Sequence, residues 1–118
     1  MSSTLSNLGK IDVMSELSLE YYVLMCKGNA ELFNTFKALL LEDFKSIEKN
    51  FFSAAEANDL STMRSELHKM YPLAANLKFS HLLEVIEKYR NRELVEFSTL
   101  HSELRKCLTR IYDVLKSE

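Results

Sequence analysis

Residues 30–57 read AELFNTFKALLLEDFKSIEKNFFSAAEA, and this stretch decides the fold. Phe33, Phe36, Leu40, Phe44, Ile47, Phe51 and Ala54 recur at steps of three and four, the spacing that lines up one face of an α-helix. Glu31, Lys37, Glu42, Lys45, Glu48 and Lys49 lie between them and make a solvated face. The pattern predicts one long helix over about 30–57.

The neighbouring residues punctuate that helix. Asn29 can cap its start, and Gly28 supplies the left-handed position that ends a short first helix over about 17–27. That helix carries Leu17, Tyr21, Leu24 and Met25 at helical spacing. Downstream, Asn58 can adopt a left-handed stop and Asp59 can cap a third helix. Its stripe is Leu60, Met63, Leu67, Met70, Ala74 and Leu77. A fourth helix, about 80–90, turns Leu82, Leu83, Ile86 and Tyr89 inward and is broken by Asn91. A fifth, about 92–116, presents Leu94, Phe97, Leu100, Leu104, Leu108, Ile111 and Leu115. Short connections between long helices with narrow stripes predict an antiparallel up-down four-helix bundle, all-α, with the short N-terminal helix laid across one end. Residues 1–10 are small and polar and read as a flexible arm. Residues 11–118 form the bundle.

Composition agrees. The chain has 118 residues, room for one domain, and only 2 Gly and 1 Pro, too few turn formers for a sandwich or barrel. At 47% hydrophobic and 27% charged it has the balance of a folded domain. The net charge of −2 argues against nucleic acid as the main partner, since phosphate-backbone binding needs a basic surplus. No apolar run approaches the length that spans a bilayer, and residues 1–9 hold neither Lys nor Arg. The expectation is a cytoplasmic protein with Cys26 and Cys107 reduced and buried.

Catalytic signatures are scarce. There is no glycine-rich phosphate loop, no Cys-x-x-Cys pair and no His-Glu-x-x-His, and no Glu–His spacing suits a di-iron bundle. No metal and no cofactor is expected. The three histidines fall on three helices. His101 reads as a boundary packing residue and His81 as a solvated first-turn residue. The five methionines read as core filler. Phe52 falls off the stripe of its helix and could help form an exposed apolar docking patch.

His68 is different. At 100° per residue it lies about a quarter-turn or more off the Met63–Leu67–Met70–Ala74 stripe, so its ring projects into water. Arg64, Tyr71, Pro72 and Ala75 share its face, and Pro72 and Ala75 add little bulk. A partner could approach closely. An exposed neutral imidazole is a competent nitrogen nucleophile.

The frame Leu67-His68-Lys69-Met70-Tyr71-Pro72, mid-helix in such a bundle, resembles the active-site helix of histidine-containing phosphotransfer (HPt) domains. The resemblance extends over about 11–116. It takes in the helix order, the Ala57–Leu60 junction, the Asn76–Leu82 loop into the fourth helix, and Glu84–Arg90. It implies a phosphocarrier of a multistep His–Asp phosphorelay. His68 would accept a phosphoryl group from a receiver-domain phosphoaspartate and pass it on. The receiver holds the magnesium, so the chain needs no ion of its own. It would be a phosphotransfer intermediate and not an autonomous kinase. Its partners would be receiver domains of response regulators or hybrid kinases, and nothing forces a dimer.

Two positions depart from the family. Tyr71 stands where the family usually has lysine, and Pro72 where glycine is common. A phenol brings no positive charge, which puts phosphoryl binding in doubt. Proline has no N–H and disfavours helical geometry at Tyr71, which predicts a kink after His68. Arg64, one turn earlier, is expected to supply the missing charge, with Lys69 and Lys78 as further candidates. Two alternatives remain. One is a degenerate HPt-like bundle that binds receivers or other partners as an adaptor without phosphotransfer. The other is an unrelated helical adaptor or dimerisation module, which has no reason to keep a nucleophile uncovered.

Overall fold

The computed structural model describes residues 17–91 and 97–116, and the 1–10 arm lies outside them. Five helices follow one another: α1 (Glu20–Cys26), α2 (Ala30–Glu56), α3 (Leu60–Asn76), α4 (Ser80–Asn91) and α5 (Phe97–Lys116). Among the described residues there is no strand. Each long helix packs on the next in sequence, and α5 returns to touch α2.

Local chemistry sets the helix ends. The Asn29 side chain accepts from the Leu32 N–H at 3.0 Å, and Asp59 from the Thr62 N–H at 3.1 Å. Each satisfies an amide that the first helical turn leaves unpaired. Asp59 also takes the Thr62 hydroxyl at 2.6 Å, and these bonds hold its carboxyl below the usual range. Asn58 ends α2 with φ 57°, and α1 ends on two left-handed residues, Lys27 and Gly28.

The core is the set of helical stripes. Leu40, Phe44, Ile47, Phe51 and Ala54 meet Met63, Leu67, Met70, Ala74 and Leu77. Leu82, Val85, Ile86 and Tyr89 join them, with Leu100, Leu104, Cys107, Leu108, Ile111 and Leu115 completing the interior. Both cysteines are free and buried. Leu94 and the Phe97 side chain lie outside the described part.

Several residues depart from the pattern. In α1 the inward pair is Tyr22 and Cys26, while Tyr21, Leu24 and Met25 are exposed. Seven residues make under two turns, so only one i, i+4 pair fits against α2. Met25 is therefore surface, whereas Met63 and Met70 are core. Phe33 and Phe36 are half-buried. Leu60 is exposed in the first turn of α3, and Leu83 is half-buried while Val85 takes an inward place.

Charged residues depart too. Lys37, expected on the solvated face, is only 6% exposed, with its ammonium over the Phe33 ring at 5.1 Å. Glu48 is half-buried and accepts from the Tyr112 hydroxyl at 2.6 Å. Phe52 offers no bare patch: the Arg105 guanidinium covers its ring at 3.8 Å.

The short helix ties down one end of the fold. The Ser18 N–H donates to the Leu77 carbonyl at 2.7 Å, Tyr22 faces Phe36, and Glu20 pairs with Lys78 at 3.6 Å. Among the described residues, no helix is long and apolar enough to cross a membrane.

Candidate functional site

The three histidines have separate environments. His101 is packed by Phe51, Phe52 and Tyr89, and its Nδ1 lies 2.7 Å from the Tyr89 hydroxyl. Burial, then the charge of Arg105, pushes its pKa below the ordinary value. His81 is not solvated as its first-turn position suggested. It is bound by Glu103 of α5 at 2.9 Å, because α4 and α5 pack side by side. His68 is exposed and has no hydrogen-bond or ion-pair partner among the described residues.

His68 sits where α3 turns its buried stripe of Met63, Leu67 and Met70 away from solvent. The ring opens onto a groove of about 600 Å³ lined by Arg64, Leu67, His68, Lys69, Tyr71 and Pro72 of α3 and by Arg90 of α4. Leu67 and Pro72 give it apolar walls. Among the described residues three cations and no carboxylate line it, and two of the cations, Lys69 and Arg90, are each paired with a carboxylate of their own helix. The charge left uncompensated among the described residues is that of Arg64, and it favours an anionic visitor.

The cations are held differently. Arg64 is exposed and has no partner among the described residues. Lys69 is drawn aside by Glu66 at 3.0 Å. Arg90 bonds Glu87 at 3.1 Å and lies 5.9 Å from the centre of the Tyr71 ring, at the edge of the range for cation–π attraction.

Pro72 does not end the helix, for α3 continues to Asn76. The proline lacks an N–H, so the His68 carbonyl has no i+4 donor there.

Two of the expected site residues stand apart. Ala75 is exposed on α3 beyond the groove, and Lys78 is ten residues from His68, about 15 Å along a helix axis, beside Glu20. Arg90 joins the site in their place. Its sequence signal lay in the short 77–79 connection. Counting eight residues back from Asn76 and ten on from Ser80 puts His68 and Arg90 at about 12 and about 15 Å from the same turn.

Among the described residues, no group of three His, Cys, Asp or Glu could hold a metal ion. No family model, no curated protein and no solved structure matches the chain.

Proposed function

We propose that this protein is an HPt-type phosphocarrier, built as an antiparallel up-down four-helix bundle, that accepts a phosphoryl group on His68 from a receiver domain and passes it to another. The observation that carries the reading is an exposed imidazole with no partner among the described residues, in a groove whose charged lining groups among them are Arg64, Lys69 and Arg90. A buried or paired histidine could not present its lone pair. His68 can.

The chemistry asks little of the carrier. An imidazole nitrogen of His68 attacks the acyl phosphate, a P–N bond forms, and the P–O bond to the receiver aspartate breaks. The aspartate leaves as a carboxylate and the His68 proton stays on the other ring nitrogen. Charge spreads over three phosphoryl oxygens during transfer, so positioned cations supply the stabilisation. Magnesium sits on the receiver. Pro72 adds little bulk on the C-terminal side of the ring, so a partner can approach closely. In this reading the phosphoryl donor is another protein, and the setting is the cytoplasm.

Phosphoryl transfer from a panel of phosphorylated receiver domains, with His68→Gln alongside, tests this. The expected label is acid-labile, base-stable and absent in His68→Gln. A second reading rests on Tyr71, which stands at the lysine position of the family: the bundle binds receivers as an adaptor without transfer. Receiver binding with no label from any receiver would establish that reading.

A further inference from the structure

Tyr71 and Arg90 come from different helices and meet at one edge of the His68 groove. Tyr71 is 36% exposed, and the guanidinium carbon lies 5.9 Å from the centre of its ring while Glu87 holds one guanidinium nitrogen. A guanidinium carries five N–H donors in a planar fork, so several remain after Glu87 is served. We infer that Tyr71 is a positioning residue whose ring carries Arg90 into the groove, and that Arg90 is a phosphoryl-binding residue acting opposite Arg64. The inference rests on the phosphocarrier reading and names the cation of that site.

The physical case is one of placement. Arg64 belongs to the same helix as His68 and approaches from one turn before it. Arg90 approaches from α4, so an anion on His68 would be met from both helices. Lys69 is held by a buried carboxylate on its other side and is less free to turn. A phosphoryl dianion has three oxygens, and two forks can each take oxygens in pairs, which a single ammonium cannot do. Where the family that the chain resembles usually has lysine, the positive charge here comes from a neighbouring helix. The aromatic ring of Tyr71 is what steers it.

The test phosphorylates His68 chemically, without any receiver. Phosphoramidate transfers its phosphoryl group to accessible imidazole nitrogens and releases ammonia. Two readouts follow on the full chain: the labelling rate of His68, and the midpoint at which the phosphorus resonance of phosphohistidine titrates between monoanion and dianion. Cations beside the phosphoryl group favour the dianion and lower that midpoint.

Arg90→Gln is expected to slow labelling about tenfold and to raise the midpoint, the loss of one charge-assisted donor pair. Tyr71→Ala does the same, Tyr71→Phe does neither, and the Tyr71→Ala, Arg90→Gln double variant is no worse than Arg90→Gln alone. Wild-type values in Arg90→Gln overturn the inference. So do wild-type values in Tyr71→Ala, and so does a wild-type His68 that phosphoramidate fails to label. Labelling that depends on Arg90 and Tyr71, with no transfer from any receiver, upholds the inference and removes the phosphorelay reading. Transfer from receivers that ignores both residues does the opposite. The helical circular dichroism of each variant, unchanged from wild type, excludes unfolding as the cause.

Discussion

Lys69 Nζ stands 3.0 Å from Oε2 of Glu66, a carboxylate only 5% exposed whose other oxygen is buried without a partner among the described residues. A buried carboxylate depends on the few groups that reach it. The Lys69 side chain is 57% exposed, so truncating it removes a partner without opening a cavity. Lys69→Ala is expected to lower stability by about 1–2 kcal/mol. The Lys69→Ala, Glu66→Met double variant, which fills the same space without charge, is expected to recover most of it. Urea unfolding of both variants checks this. A Lys69→Ala protein as stable as wild type would show that the pair contributes nothing.

Pro72 interrupts the hydrogen-bond ladder of α3 just where His68 is displayed. Restoring the N–H in Pro72→Ala gives the His68 carbonyl its donor again. The expected gain is about 1–3 kcal/mol, the range for interior proline against alanine in a helix already partly adapted to it. A thermal midpoint higher than wild type checks the direction.

His101 gives the fold an acid-side weakness. Burial, then Arg105, holds its pKa below the ordinary 6.5. The unfolded chain binds that proton more readily, so it binds more protons than the native state over the interval between the two values. Stability therefore falls as pH drops through 6.5 and levels off below the native-state value. Urea midpoints measured from about pH 7.5 to about pH 5 are expected to show the decline. His101→Gln is expected to flatten it. A slope unchanged in that variant would assign the decline to other groups.

The base side has the opposite sign. Burial, then the charge of Glu103, pushes the Cys107 thiol up to about 12, and burial raises Tyr89, Tyr112 and Tyr22. For Tyr112 the hydrogen bond to Glu48 adds to this. The native state keeps protons that the unfolded chain releases from 9.0 upward, the ordinary thiol value. Stability is then lost as pH climbs from 9.0 toward about 12. Cys107→Ala is expected to reduce the slope of stability against pH even though it opens a small cavity. Thiol reagents are expected to label Cys107 at the rate of unfolding, since its side chain is 0% exposed.

Periodicity carried the helices and most of the core into view from the residues alone. Phe44, Met70 and Leu108 are buried on the faces their spacing marks. What spacing could not show depends on neighbours in space. Lys37 looks like a surface residue on its own helix, and only the fold puts it over Phe33. His81 looks solvated until α5 brings Glu103. At the site, His68 and Arg64 were legible because one helix holds both, whereas Arg90 belongs to another helix and needed the α3–α4 packing. Lys78 looked close in sequence, but the left-handed end of α3 turns it toward Glu20.

Arg64 is the cation with the fewest claims on it. It lines the His68 groove, is exposed, and has no partner among the described residues. A guanidinium paired to a carboxylate must give up that bond before it can meet a phosphoryl group, as Arg90 must partly do with Glu87. Arg64 has no such bond to give up among the described residues. In the phosphocarrier reading it therefore stabilises the transferring group at the smallest reorganisation cost. Arg64→Ala is expected to slow phosphoryl transfer from a cognate receiver about tenfold, with Arg64→Lys recovering part of the loss because the charge remains but the planar fork does not. The variant's stability should stay within about 0.5 kcal/mol of wild type, as befits an unpaired surface side chain. A transfer rate and phosphohistidine lifetime equal to wild type in Arg64→Ala would remove Arg64 from the mechanism and leave Arg90 as its only fork.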